Sequence, residues 1–190
     1  MQAEIHKWIG LLWMGFVVLW FSAAFVQKRT VRRESVASRL SYLSVAVAAA
    51  LLMTNPRLSF GFLSTHFVPE TLSYALLGLG LTLAGFAFAI WARVHLGRNW
   101  SGAVTIKKDH ELIRSGPYAM VRHPIYTGAL VALIGTSIAF GETRWFLGLA
   151  LAALALKLKS LREERFMTEQ FGAEYADYRR KVKALVPFVW

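Results

Sequence analysis

Residues 115–128 read SGPYAMVRHPIYTG, a polar, basic, proline-punctuated stretch that runs directly into an uncharged segment at 125–141. His123 stands between Arg122 and Pro124 where that segment begins. Pro124 suits the first position of a helix, where its missing N–H has no helical partner to lose, with His123 as the cap. The exposed N–H groups that follow make a partly positive end suited to a carboxylate or a phosphate. A second polar group, Lys159, Arg162, Glu163 and Glu164, closes the last apolar segment. Its acidic pair offers the opposite charge, to an ammonium group or to ribose hydroxyls. A ligand carrying both a carboxylate and an amine would satisfy both groups. Each motif alone has a plainer reading: Arg122 and His123 as a charged membrane-edge anchor, LREER as a solvated helix exit with i,i+4 pairs. Zinc chemistry is disfavoured, because His110-Glu111 has no second His four residues on and His6, His66 and His95 lack ligand spacing. The chain has no Cys, so it carries no disulfide framework and no thiolate site.

The elements that must position these residues are apolar helices. Of 190 residues 56% are hydrophobic, gathered in uncharged or nearly uncharged blocks at 8–26, 40–55, 71–92, 125–141 and 145–156. A helix needs about 20 apolar residues to cross a hydrocarbon core. The last block, about 18 Å long as a helix, must therefore continue past Lys157 and Lys159. The first block, preceded by Lys7 and followed by a basic run, reads as a retained helix rather than a cleaved signal. Threading the five blocks alternately puts 19 Lys and Arg on one side and only Lys7, Arg57 and Arg144 on the other. By the positive-inside rule the N-terminus is outside and the C-terminus cytoplasmic. The net charge of +11 thus reflects topology and contact with anionic lipid, not nucleic acid.

The expectation is an all-α integral membrane protein of about five transmembrane helices, N-out and C-in. Residues 1–92 form a three-helix region almost free of reactive groups. Residues 93–190 hold a cytoplasmic connector, a hairpin of helices four and five, and an amphipathic tail. The tight turn at 141–144 makes those two helices antiparallel neighbours, which brings LREER level with residues 123–126 in a pocket opening to the cytoplasm. Gly78, Gly80, Ala84 and Gly85 permit close helix packing, dimers included. The basic loop KRTVRRESVASR reads as a topology anchor, and Trp91 and Trp100 as packing or interfacial aromatics. The tail is expected to lie back on the membrane surface, anchored by Phe188 and Trp190.

Taken together, GPYAMVRHPIYTG, EER and FGAEYADYRRKV with Pro187 resemble the isoprenylcysteine carboxyl methyltransferase family and the related phospholipid methyltransferases, over about residues 95–187. The N-terminal helices match in number and hydropathy, as in the smaller prokaryotic members, for which the plasma or inner membrane is the location. The resemblance implies a pocket for S-adenosyl-L-methionine, with S-adenosyl-L-homocysteine as product. The implied cofactor contacts fall on His110, Glu111, Leu112, Ile113, Tyr118, His123, Pro124, Ile125, Tyr126 and Glu163. The basic residue beside the family's substrate carboxylate falls on Lys159, where eukaryotic members have Arg. An Arg on the preceding membrane helix falls near Ala89, so Arg93, one turn later, is its possible substitute. Lys159, Arg162 and Arg93 are accordingly the substrate-positioning candidates. The expected reaction is methyl transfer to the carboxylate of a hydrophobic, lipid-like acceptor. Phospholipid or amine N-methylation, an NADPH-dependent sterol-type reductase on the same scaffold, and a non-catalytic membrane scaffold are the alternatives.

Overall fold

The computed structural model describes residues 1–22, 30–100, 102–107 and 111–186. Five long helices fall on the five apolar blocks: α1 (Gln2–Ser22), α2 (Val36–Thr54), α3 (Leu72–Leu96), α5 (Pro124–Phe140) and α6 (Thr143–Phe171). Two short ones, α4 (Pro117–Met120) and α7 (Ala173–Lys181), flank the chemistry-bearing segment and the end of the chain. By length and composition α2 and α3 can cross a membrane, and α5 is a shorter apolar helix of the same character. With 29 residues α6 is about 43 Å long, so its charged half, from Lys157 onward, extends well past any hydrocarbon core.

Backbone contact between α3 and α5 organises the bundle. A Cβ built on Gly85 would lie 2.5 Å from the Gly128 carbonyl oxygen, and one on Gly78 would lie 2.4 Å from that of Gly135. The reciprocal distances, from Gly128 to Gly85 and from Gly135 to Gly78, are 2.6 and 2.5 Å. The antiparallel helices therefore touch main chain to main chain at two points seven residues apart on each, the close approach that small residues allow. Thr82 and Thr136 sit buried in the same seam, their hydroxyls 3.2 Å apart, each bonded to a carbonyl four residues back at 2.8 Å. Trp13 Nε1 donates to Thr136 Oγ1 at 3.0 Å and so joins α1 to the pair. The glycines read from sequence as a possible dimer surface are consumed here: of the three on α3, only Gly80 has nothing within 4 Å.

α6 packs chiefly on α2, where Gly148 admits Met53. The tight turn between α5 and α6 is present, with Gly141 in the left-handed region at φ +72°. The loop after α2 buttresses it: Phe67 N donates to Gly141 O at 2.7 Å, and Arg144 donates to the carbonyls of Met53 and Asn55.

Two features differ from the sequence reading. First, the all-helical expectation needs a small addition. β1 (Thr30–Arg33) pairs antiparallel with β2 (Thr105–Lys107), so the basic loop read as an anchor is one edge of a ribbon. Thr and β-branched apolar residues on both segments favour that pairing. Glu34 fastens it, accepting from Val104 N and Tyr42 Oη. Second, the tail is helical only to Lys181. It then runs extended beside residues 121–123, with Arg122 N donating to Lys183 O at 2.8 Å and His123 N to Ala184 O at 3.0 Å. Those donors precede a helix and have no partner within it, so the tail satisfies them. Phe188 and Trp190 lie outside the described residues.

Candidate functional site

Pro124 occupies the first turn of α5 with His123 as cap, and the cap side chain makes no bond to the helix end. The imidazole is turned instead toward α6. Its Nδ1 lies 3.4 Å from Glu163 Oε2 and its Nε2 lies 3.2 Å from Glu164 Oε1. Two consecutive carboxylates thus bracket one ring. The Tyr126 ring stacks on that of His123, with centroids 5.3 Å apart and planes 5° from parallel, and its hydroxyl donates to Glu163 Oε1 at 2.5 Å. On the other flank Arg122 donates to Glu164 Oε1 through Nη2 at 2.6 Å and Nε at 3.0 Å, and through Nη1 to the Val182 carbonyl.

Each buried charge has an oppositely charged or hydrogen-bonding neighbour, which is what burial demands. Burial disfavours the charged imidazole, but its contacts to Glu163 and Glu164 prevail and hold the His123 pKa above 6.5. Burial likewise opposes ionisation of Glu164, yet His123 and Arg122 bring it down to about 2. Glu163 is also lowered against its burial, by His123, Lys159 and Tyr126. Glu163 and Glu164 thus favour the carboxylate form beside Arg122, and His123 favours its charged form.

Only Glu163 of the acidic pair faces a cavity of about 1030 Å³, its open mouth included. Among its walls are Glu111, Leu112, Ile113, Tyr118, His123, Pro124, Ile125, Tyr126, Glu163 and Lys159. Every cofactor candidate from the sequence therefore reaches one space except His110, which lies outside the described residues. Lys159 Nζ donates to the Gly102 carbonyl at 3.0 Å and stands 5.4 Å from the Tyr126 ring centroid. The other two basic candidates lie apart from these walls. The Arg93 guanidinium packs 4.4 Å over the Trp100 ring and donates to Gly97 O at 2.9 Å, while Arg162 reaches across to Ser38 Oγ and, at 2.9 Å, to Ser41 Oγ on α2. Arg93 closes the end of α3 behind a wall residue, and Arg162 braces α6 against α2.

Local turns fix the remaining wall. Gly116 has φ +58°, and a Cβ there would meet the His95 ring at 2.8 Å. His95 bonds Ser115 Oγ at 2.9 Å, and Tyr178 Oη donates to the Tyr118 carbonyl at 2.5 Å. Trp100, read from sequence as a packing or interfacial aromatic, lines the cavity, and Trp20 from α1, Phe166, Tyr175 and Tyr178, together with Met167, complete it. Trp20 and Trp100 meet edge to face at 5.3 Å. Phe166 and Met167 had a legible signal, since they follow Glu163 by three and four residues and share its helix face.

This lining fits S-adenosylmethionine. Carboxylate and aromatic faces suit a sulfonium and an ammonium, an ammonium suits a carboxylate, and apolar walls suit an adenine.

Comparison with known proteins gives the family. The pattern of the isoprenylcysteine carboxyl methyltransferase (ICMT) family matches residues 77–171. The chain is 35% identical over 122 residues to the protein-S-isoprenylcysteine O-methyltransferase of Schizosaccharomyces pombe, covering 61% of this chain and 50% of that protein. It is 29% identical over 171 residues to a probable protein-S-isoprenylcysteine O-methyltransferase of Oryza sativa subsp. indica, covering 88% of this chain and 87% of that one. The solved structure of the eukaryotic intramembrane Ras methyltransferase ICMT shares the fold, with TM-score 0.52 and 24% identity over 84% of this chain and 55% of that chain. The chain thus spans about half the length of the fission-yeast relative and of the solved protein.

Proposed function

Since the chain belongs to the isoprenylcysteine carboxyl methyltransferase family, we propose that it is a multi-pass membrane enzyme that methylates the carboxylate of a hydrophobic, lipid-like acceptor at the cytoplasmic face. Bound there, S-adenosylmethionine would supply an electrophilic sulfonium methyl, with S-adenosylhomocysteine as the product. The observation that carries this reading is the pairing in one cavity of an ionised Glu163, held by His123 and Tyr126, with the Lys159 ammonium.

Glu163 and the Tyr126 and Trp100 faces would hold the cationic parts of the cofactor. Leu112, Ile113, Phe166 and Met167 would enclose its base. Lys159 would draw in the acceptor carboxylate, and its present bond to the Gly102 carbonyl keeps the ammonium inside the cavity. A carboxylate is already ionised at neutral pH, so the protein needs no general base. Its task is to hold the reactants in line and to replace water with fixed dipoles. Arg93 and Arg162 are proposed to support substrate positioning indirectly, through Trp100 and through the α2–α6 contact.

Titrating S-adenosylmethionine into the detergent-solubilised protein by calorimetry tests the reading. His123→Ala and Glu163→Gln should each lower affinity at least about tenfold, the loss of one charged contact, with helicity unchanged. Undiminished affinity in both variants would overturn the site. Transfer of a labelled methyl to a short S-prenylated cysteine, the acceptor type in the relatives' names, tests the substrate class.

A further inference from the structure

We propose that the groove between α6 and α7 binds the phosphate of an anionic phospholipid of the inner leaflet. The groove backs onto the cavity, and Arg122 lines both. Its charged walls are Arg122, Lys157, Arg179, Arg180 and Lys183, facing the single carboxylate of Glu164. That carboxylate is already engaged: Arg122 stands at 2.6 Å, His123 at 3.2 Å and Arg179 at 3.5 Å. Arg180 in turn pairs with Asp177 at 3.0 Å, so five cations meet two carboxylates, an excess of positive charge that a phosphate would balance.

Position selects a lipid over a soluble phosphate. Lys157 is the first cation after the apolar block at 145–156, so the groove starts where α6 leaves the hydrocarbon. Leu161 also lines it and is 42% exposed, an apolar surface beside the cations. A phospholipid lying along α6 would place its glycerol and chains against that surface and its phosphate among the cations. The Arg179 and Arg180 side chains, 48% and 75% exposed, are accessible to do this. Because Glu164, held by Arg122, also holds His123, the occupied groove stiffens the wall that the cavity shares.

The test uses the full chain in zwitterionic micelles, titrated with dihexanoyl phosphatidylglycerol, dihexanoyl phosphatidylcholine and inorganic phosphate while the melting midpoint is followed. Phosphatidylglycerol should bind about tenfold or more tightly than phosphatidylcholine. The double variant R180Q/K183Q, neither of whose positions lines the cavity, should lose that preference by about tenfold, at roughly one charge contact per residue. Equal affinity for the two lipids overturns the proposal. So does a preference that survives in the variant, which marks only a diffuse positive surface, or inorganic phosphate binding as tightly as phosphatidylglycerol, which marks a soluble-anion site. S-adenosylmethionine affinity, measured on the same samples, separates failure of the groove from failure of the proposed cavity or of folding.

Discussion

His123 has a carboxylate at each ring nitrogen, so its charge state and those of Glu163 and Glu164 are mutually dependent. Its folded pKa is raised above 6.5, so the stabilisation it brings is complete below about pH 6.5 and fades as pH climbs through the raised value. Glu164 works in the other direction. With a folded pKa of about 2 against the usual 4.5, its stabilisation is complete above about pH 4.5 and fades as pH falls toward 2. Thermal midpoints should therefore be highest between about pH 4.5 and 6.5, and His123→Gln should flatten the alkaline decline in particular. An alkaline limb of equal steepness in that variant would show that the titration belongs to another group. The Arg122–Glu164 pair is the structural half of this cluster, both side chains being 9% exposed. Arg122→Gln leaves a buried carboxylate short of its partner and should cost about 3–5 kcal/mol of stability. A chemical denaturation series at pH 7 checks it. The pairing itself is not legible in the sequence. The EER and RHP motifs announce charge at one depth, but which Glu faces the cavity and which faces Arg122 follows from the rotation of α6.

The helices show the same division between what a pattern announces and what packing decides. Small residues on α3 are visible in the sequence, but their partners are not, because Gly128 and Gly135 gain meaning only once α5 lies antiparallel across them. A Cβ at Gly85 would meet main-chain atoms of Ala132 and Gly128 at 2.4–2.5 Å, where nothing flexible can give way. Gly85→Val should thus destabilise the protein by at least about 1–3 kcal/mol, whereas Gly80→Ala, which meets nothing within 4 Å and gains helix propensity, should leave the melting midpoint unchanged or slightly raised. Comparable losses in both would show that the close α3–α5 approach does not set the cost, since Ala and Val are both better helix formers than Gly. The ribbon of β1 and β2 escapes a sequence reading for a physical reason as well. Each strand is three or four residues long and has no alternation to detect; Tyr42 on α2 bonds Glu34 and Lys159 on α6 bonds the Gly102 carbonyl, which ties down the loops that flank the ribbon. The extended tail is similar, since its pairing with residues 121–123 is dictated by unsatisfied helix-end donors and not by its own composition.

At the scale of the whole molecule, the two ends of the bundle are built for different tasks. At the end holding the α5–α6 turn, Glu142 and Arg144 pair at 2.7 Å and lock that turn to the loop after α2. The opposite end carries the ribbon, the cavity, the basic groove and most of the cations. Segregation of 19 Lys and Arg from the remaining three is legible in the amino-acid sequence, because it depends on counting charges between apolar blocks and not on how side chains meet. It predicts the turn end outside and the cavity end inside the cell. The chain has no Cys, so single introduced thiols report cleanly on this. Phe62, exposed in the loop after α2, and Gln170, exposed near the end of α6, are suitable positions. Phe62→Cys should react with a membrane-impermeant maleimide in intact cells, and Gln170→Cys only after permeabilisation. Reversed labelling would place the cavity on the outer face and remove the inner leaflet as the source of both acceptor and anionic lipid.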